Sequence, residues 1–555
     1  MKNRNLILGL IILLGLILRF FWLGKVPVSL HRDEAFLGYN AYSILKTGKD
    51  ISGNFMPIHL ESFFFSPAGY SYFSIPFIAI FGLNQFSVRV ASALFGTLTI
   101  PLIYLLTISL FKKNKSSFNI AYLTAFIFAI SPWSIDLSRV SVENTIVLFF
   151  ICLGTLLYVS YVNNKKLYYL IFAFVSFFLT LFIYQAPRAF LPLFIPFLFI
   201  VFSGGIKKIF LNKLPWLLYL ILIILPVVLI VRSPDLSWRL QSLSILNNPA
   251  TKIAVDQELV NDTLAGSPYL LARTIHNKPI GYLFTFTNNF FKHLSFDFLF
   301  SDGGYPDRFR IPQVGLLYLF EFPLILLGIY YLIRRESKII TLLAGWIVLG
   351  IVGTAITFDD IPNLQRTLII LPALSILSGY GLYSIYEFVL FSKKSRKVFV
   401  VLAGLIIFAN FTYYIFQYYT QGRFYRTWYR QDGYEKLVTE VNKLAPNYKY
   451  IVVTSKESAP TILFLFYSKY DPATFQKETS SINMKESDHV NFSKYRFSVD
   501  DCPLKVDEKE PNKLTGVKKV LYVNSNTCSD IEGVKLIDTI KRVDGSDVFK
   551  LMEIK

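Results

Sequence analysis

Leu6-Ile7-Leu8-Gly9-Leu10-Ile11-Ile12-Leu13-Leu14-Gly15-Leu16-Ile17-Leu18-Arg19-Phe20-Phe21-Trp22-Leu23 is followed, after a short link, by His31-Arg32-Asp33-Glu34. The first stretch has the length and greasiness of a membrane span, which needs about 20 mostly apolar residues. The second is a cluster of ionisable side chains where the chain would leave the bilayer. Lys2 and Arg4 give the run the look of a signal peptide, but Leu23-Gly24-Lys25-Val26-Pro27 offers no small-x-small cleavage site, so a retained first helix is expected.

The same alternation of greasy run and polar break continues along the chain. Eleven runs read as spans, at 6–23, 88–111, 118–135, 143–161, 167–184, 189–203, 214–232, 313–333, 338–356, 363–391 and 397–418. Composition agrees: 53% of the 555 residues are hydrophobic, 17% are charged, and mean hydropathy is +0.46. A soluble domain is about 45–50% apolar and about 25% charged. A cytosolic enzyme and a disordered chain are excluded; an α-helical polytopic membrane protein is expected.

The net charge of +19 is spent in short clusters between runs: Lys2/Arg4, Lys112/Lys113/Lys115, Lys165/Lys166, Lys207/Lys208/Lys213, Arg334/Arg335/Lys338 and Lys393/Lys394/Arg396/Lys397. These are the basic loops of a cytoplasmic face. They form no continuous basic surface, so nucleic acid is not an expected partner. With the N-terminus inside, every cluster falls on one side, and the loops 24–87, 136–142, 185–188, 233–312 and 357–362, with the tail, fall outside. The chain divides into a membrane module, 1–418, and a small extracytoplasmic α/β domain, 419–555. In that domain Tyr450-Ile-Val-Val-Thr454 and Val520-Leu-Tyr-Val-Asn524 read as strands. Short helices are expected around 288–300. Cys502 and Cys528 can pair if the tail is extracytoplasmic, while Cys152 lies within an apolar run.

Three groups of residues can carry chemistry. After Glu34 the apolar positions Leu37, Ala41, Ile44 and Leu45 share one helical face, and Gly48 is a natural stop. Asp33 then stands at the N-cap, where it either stabilises the helix start or, kept ionised by the first-turn amides, accepts a proton or a cation. Second, Asp136-Leu-Ser-Arg139-Val-Ser-Val-Glu143-Asn144 joins two spans on the same face. Arg139 and Glu143 are spaced as a helical ion pair or as site residues at a bundle mouth. Third, Arg188, Arg308 and Arg366 stand at external helix ends, as snorkelling anchors or as holders of a lipid phosphate. No Gly-Lys-Ser/Thr phosphate loop and no His-Glu-x-x-His occurs.

The Asp33-Glu34 pair after the first span, Tyr39, Ala41, Thr47-Gly48, Phe65-Ser66-Pro67 and Phe81-Gly82-Leu-Asn-Gln-Phe86-Ser-Val-Arg89 together resemble the GT-C integral-membrane glycosyltransferases. Within that group the similarity is to the protein O-mannosyltransferases and the aminoarabinose transferases that act on lipid A, glycosyltransferase family 39-like enzymes. The resemblance implies a polyprenyl-phosphate sugar donor, an acceptor hydroxyl on a glycan, lipid or protein, and inverting transfer outside the cytoplasm. It implies Asp33 as the essential acid with Glu34 beside it, and Glu143 as a second external acid. The aminoarabinose transferases carry an acidic and a basic residue before the proline matching Pro67, where this chain has Phe65 and Ser66. Phosphate contacts would then come from Arg139, Arg188 or Arg366, with Tyr39 lining the site. These residues name no certain cofactor; a divalent cation, if present, would find ligands in Asp33 and Glu143. A transporter or flippase of lipid-linked sugars is the alternative, although ionisable residues concentrated at one face argue against it.

Overall fold

A computed structural model describes residues 2–63, 65–203, 213–232, 243–389, 392–485, 489–506 and 514–555. Phe64, the pair Lys207/Lys208, the side chains of Lys2 and Arg4, and the opening of the 233–312 loop lie outside the described residues. The chain is mostly helical and forms two compact units. One comprises Met1–Arg19, Phe95–Leu137 and Glu143–Gln417; the other comprises Phe20–Leu94, Ser138–Val142 and Tyr418–Lys555.

The first unit holds most of the apolar helices. Among the described residues of the whole chain, seven helices are long and apolar enough to cross a membrane: Gln85–Leu110, Glu143–Asn164, Ala186–Ser203, Lys213–Val231, Ser337–Ala355, Leu368–Phe388 and Lys393–Phe424. An eighth is obtained by counting Ser117–Ile130 and Pro132–Ser138, bent by 53°, as one span. The runs at 6–23 and 167–184 form the shorter apolar helices Asn5–Phe20 and Leu167–Thr180. At 1.5 Å per residue these rise about 24 and 21 Å, short of a hydrocarbon core of about 30 Å. The run at 313–333 is helical only over Glu321–Arg335.

Leu371–Ser384 is buried on every side and packs against Ser117–Ile130 and Glu321–Arg335. Its small residues permit this. A Cβ on Gly379 would lie 2.8 Å from the Thr124 backbone, and one on Gly381 would overlap the Leu324 carbonyl. The 233–312 loop contributes Pro249–Leu264, Tyr269–Ile275, Lys278–Lys292 and the short π-helix Asp297–Asp302, so helix is present over much of the expected 288–300 and also well before it.

The second unit joins the loop after the first helix to the tail. Helix Arg32–Thr47 packs against Gly69–Phe81, Pro460–Ser468 and Pro472–Glu478. Gly38 makes the approach possible: a side chain there would strike Val88 Cγ1 and lie 3.2 Å from Phe466 Cε2. The tail forms a five-stranded sheet in the order Tyr495–Ser498, Tyr450–Thr454, Val520–Ser525, Asp547–Ile554, Val534–Lys541. The first three strands are parallel, and the last two pair antiparallel. Parallel neighbours need a crossover, which Pro460–Ser468 and Pro472–Glu478 supply between the first pair. Cys502 and Cys528 are disulfide-bonded within this unit.

Candidate active site

The head of helix Arg32–Thr47 is capped by His31, and not by Asp33 as the residue preferences suggest. His31 is extended at φ −66°, ψ 150°, and its Nδ1 accepts from the Asp33 amide at 3.1 Å. Glu34 folds back so that its Oε1 accepts from the His31 amide at 3.4 Å, closing a capping box one turn wide. The start therefore lies two residues earlier than expected, because the His31 ring accepts from the Asp33 amide and Glu34 accepts from the His31 amide. Asp33 sits inside the first turn with its side chain 35% exposed, its carboxylate 3.3 Å from His31 Nδ1 and 3.8 Å from Arg32 Nε.

Glu34 has the opposite environment. It is buried, and Arg89 reaches it with both prongs, Nε to Oε2 at 2.9 Å and Nη2 to Oε1 at 3.2 Å. The Ser141 amide adds a third bond to Oε2 at 2.9 Å. Burial alone would raise the Glu34 carboxyl, but the adjacent Arg89 guanidinium and these hydrogen bonds hold it below its ordinary value. Arg89 is fully buried and spends its remaining donors on the carbonyls of Leu23, Pro27 and Ser29.

Arg139, also fully buried, donates from Nε to the Tyr418 hydroxyl at 3.0 Å and from Nη2 to the Phe21 and Val26 carbonyls at 2.7 and 2.9 Å. Its guanidinium lies over the Tyr418 and Tyr419 rings. Arg139 and Glu143 do not share a helix, so their spacing is not that of a helical i, i+4 pair: one helix ends at Ser138 and the next begins at Glu143. Tyr39 is buried and donates to the Tyr470 carbonyl at 2.8 Å, a link inside the second unit.

The structure thus brings Asp33, Glu34, Tyr39 and Arg139 into the second unit, while Glu143, Arg188 and Arg366 belong to the first. Glu143 opens its helix and is buried. Arg188 is buried, with Nε donating to the Leu181 carbonyl. Arg366 Nη1 donates to Thr357 Oγ1 and the Asp359 carbonyl, and Nη2 lies 3.4 Å from the Asp359 carboxylate. His293 holds this loop: its Nε2 accepts from the Asn363 amide at 2.9 Å, and Asn363 Oδ1 accepts from the Arg366 amide at 2.8 Å. Burial pushes His293 down to about 4. Among the described residues no three His, Cys, Asp or Glu side chains gather as metal ligands, so no step is assigned to a cation at Asp33 and Glu143.

The partner of Arg89 lies 55 positions away and leaves no local mark beside it. The available signal was an arginine inside an apolar run, which costs too much unless it is paired.

A family profile described as dolichyl-phosphate-mannose-protein mannosyltransferase matches residues 66–238, a stretch that begins after the Asp33 helix. No curated protein sequence matches. ArnT from Cupriavidus metallidurans bound to undecaprenyl phosphate has a similar structure, with a TM-score of 0.53 and 13% identity, covering 98% of this chain and 97% of that one. Its apo state gives 0.50 over the same shares. The Archaeoglobus fulgidus oligosaccharyltransferase in its apo form gives 0.50 at 14% identity, covering 84% of this chain and 64% of that one. This chain therefore spans less than two thirds of the archaeal protein. What is shared at these identities is the fold, which is of the GT-C type.

Proposed function

We propose that this protein is a glycosyltransferase that moves a sugar from a polyprenyl-phosphate donor to an acceptor hydroxyl at the extracytoplasmic face, with inversion. Residues 1–418 form the transferase module and 419–555 the extracytoplasmic domain. The fold shared with ArnT, a protein solved with undecaprenyl phosphate, supports the reading, as does the mannosyltransferase profile over 66–238. The Cys502–Cys528 disulfide supports an oxidising compartment for the tail. The acceptor is a glycan, a lipid or a protein.

The observation that carries the proposal is the division between two adjacent acids. Glu34 has both oxygens engaged in a buried pair and acts as a positioning residue. Asp33, relieved of capping, keeps a partly exposed carboxylate on a rigid helix head. In the proposed step the Asp33 carboxylate takes the proton of the acceptor hydroxyl while that oxygen bonds to the anomeric carbon. The bond from that carbon to the phosphate oxygen breaks, and its electron pair leaves with the polyprenyl phosphate. Arg188 and Arg366 are the candidates for holding the phosphate, since Arg139 is committed to the Phe21 and Val26 carbonyls.

The test is release of free polyprenyl phosphate by purified protein in membranes. Asp33→Asn is expected to lower release by about 10²–10⁴-fold with melting unchanged. Full release in that variant would leave Asp33 a surface acid. A flippase would release none even as wild type.

A further inference from the structure

The segment just after the last long helix meets the head of helix Arg32–Thr47 from 399 positions further along the chain. The first N–H groups of a helix lack acceptors within it. The Arg32 amide finds one in Gln431 Oε1, at 2.8 Å. Two residues before the cap, the Ser29 hydroxyl donates to Asp432 Oδ1 at 2.7 Å. The Arg32 side chain donates from Nη1 to Ser458 Oγ, also at 2.8 Å. The backbone on both sides of His31 is therefore pinned to the tail.

The clamp is itself braced. Asp432 Oδ2 accepts from the Val543 amide at 2.6 Å, and Thr427 Oγ1 donates to Asp544 Oδ2 at 2.9 Å, so the turn between the last two strands holds the 427–432 segment. Ser29, Gln431 and Ser458 have left-handed backbones, with φ of 59°, 48° and 69°. None is a glycine. Such conformations persist only where the surroundings over-determine them, and they concentrate at functional sites.

We propose that Gln431 and Asp432 are positioning residues for Asp33, fixing the angle at which the helix presents its carboxylate. The inference rests on the reading of Asp33 as the base. A displacement of about 1 Å at a reacting group can cost on the order of 10²-fold in rate. Loss of the Gln431 acceptor frees one amide immediately before Asp33, and Gln431 is itself buried.

The experiment uses full-length protein in lipid nanodiscs, with turnover and amide hydrogen exchange measured on the same samples. Gln431→Ala is expected to lower kcat roughly 10- to 100-fold, to leave donor KM within about twofold, and to speed exchange over residues 30–36. Gln431→Glu keeps an acceptor oxygen, so protection returns and kcat largely recovers. Its added negative charge shifts the acid limb of the pH–rate profile upward, since a second anion raises the pKa of Asp33. Asp432→Asn keeps one acceptor and loses the other, so it reproduces the alanine effect in milder form. It also serves as the test if Gln431→Ala does not fold. Wild-type kcat in Gln431→Ala, or in Asp432→Asn where that variant serves, overturns the inference, as does an equal loss of kcat in Gln431→Glu. If Asp33→Asn is fully active, the base reading fails, whatever Gln431 does. If Asp33→Asn is dead while Gln431→Ala turns over normally, only the positioning role fails.

Discussion

Arg89 grips both oxygens of Glu34, at 2.9 and 3.2 Å, while its other N–H groups hold the carbonyls of Leu23, Pro27 and Ser29. One guanidinium thus ties the segment leaving the first helix to the helix that carries Asp33. Five donors meet five acceptances, the full capacity of the side chain.

Breaking that pair should unfold the second unit. Glu34→Ala leaves a buried guanidinium without its anion, a loss of about 3–5 kcal/mol. Arg89→Lys should be nearly as damaging, because an ammonium has three donors and no fork. Thermal melting in detergent checks both; a wild-type midpoint for Arg89→Lys would show that the fork is dispensable.

Acid should weaken the two units in sequence. His293 is held near 4 against an ordinary 6.5, so the folded state disfavours its proton. Its contribution is complete above 6.5 and is lost as pH falls from there through about 4. Glu34 is held below 4.5, so its contribution is complete above that value and is lost as pH falls through the lower folded one. Melting curves recorded from pH 7.5 to 4 should therefore show the first unit declining earlier. His293→Gln, which keeps an acceptor and a donor, should flatten the upper part of the profile and leave the lower part unchanged.

Arg188 and Arg366 separate binding from chemistry. If Arg366 and Arg188 hold the donor phosphate, changing either to Ala should raise donor KM by roughly tenfold or more, the worth of a charged hydrogen bond, with kcat less affected. Steady-state titration of the donor reads this directly, and an unchanged KM in both variants would remove them from the site.

Orientation can be read from the cysteines. The Cys502–Cys528 bond closes a loop with a separation of 26 residues, so its loss should cost the tail about 3 kcal/mol. After mild reduction of intact cells, a membrane-impermeant maleimide should label the tail. Labelling only after permeabilisation would put the tail inside.

How much of this could be read beforehand depended on range. Most of the greasy runs, the helix that carries Asp33, its Gly48 stop and the strands at 450 and 520 are local patterns, and the structure has them. The cap was misassigned because His is an uncommon cap, and only the Glu34 side chain folding back reveals it. The remaining tail strands, such as Val534–Lys541, alternate weakly and take their identity from pairing with Asp547–Ile554. Gln431 carries no local mark at all: its meaning lies in an amide 399 positions away.

That distance has a consequence for synthesis. Ser29 and Asp432 are 403 positions apart, and a ribosome adding about 5–20 residues per second needs on the order of 20–80 s to travel between them. During that interval the nascent chain already carries Asp33 on the membrane but not the piece that locks it. If the lock is needed for turnover, activity switches on only when the final strands have been made and folded, so a truncated product would be inserted yet inert.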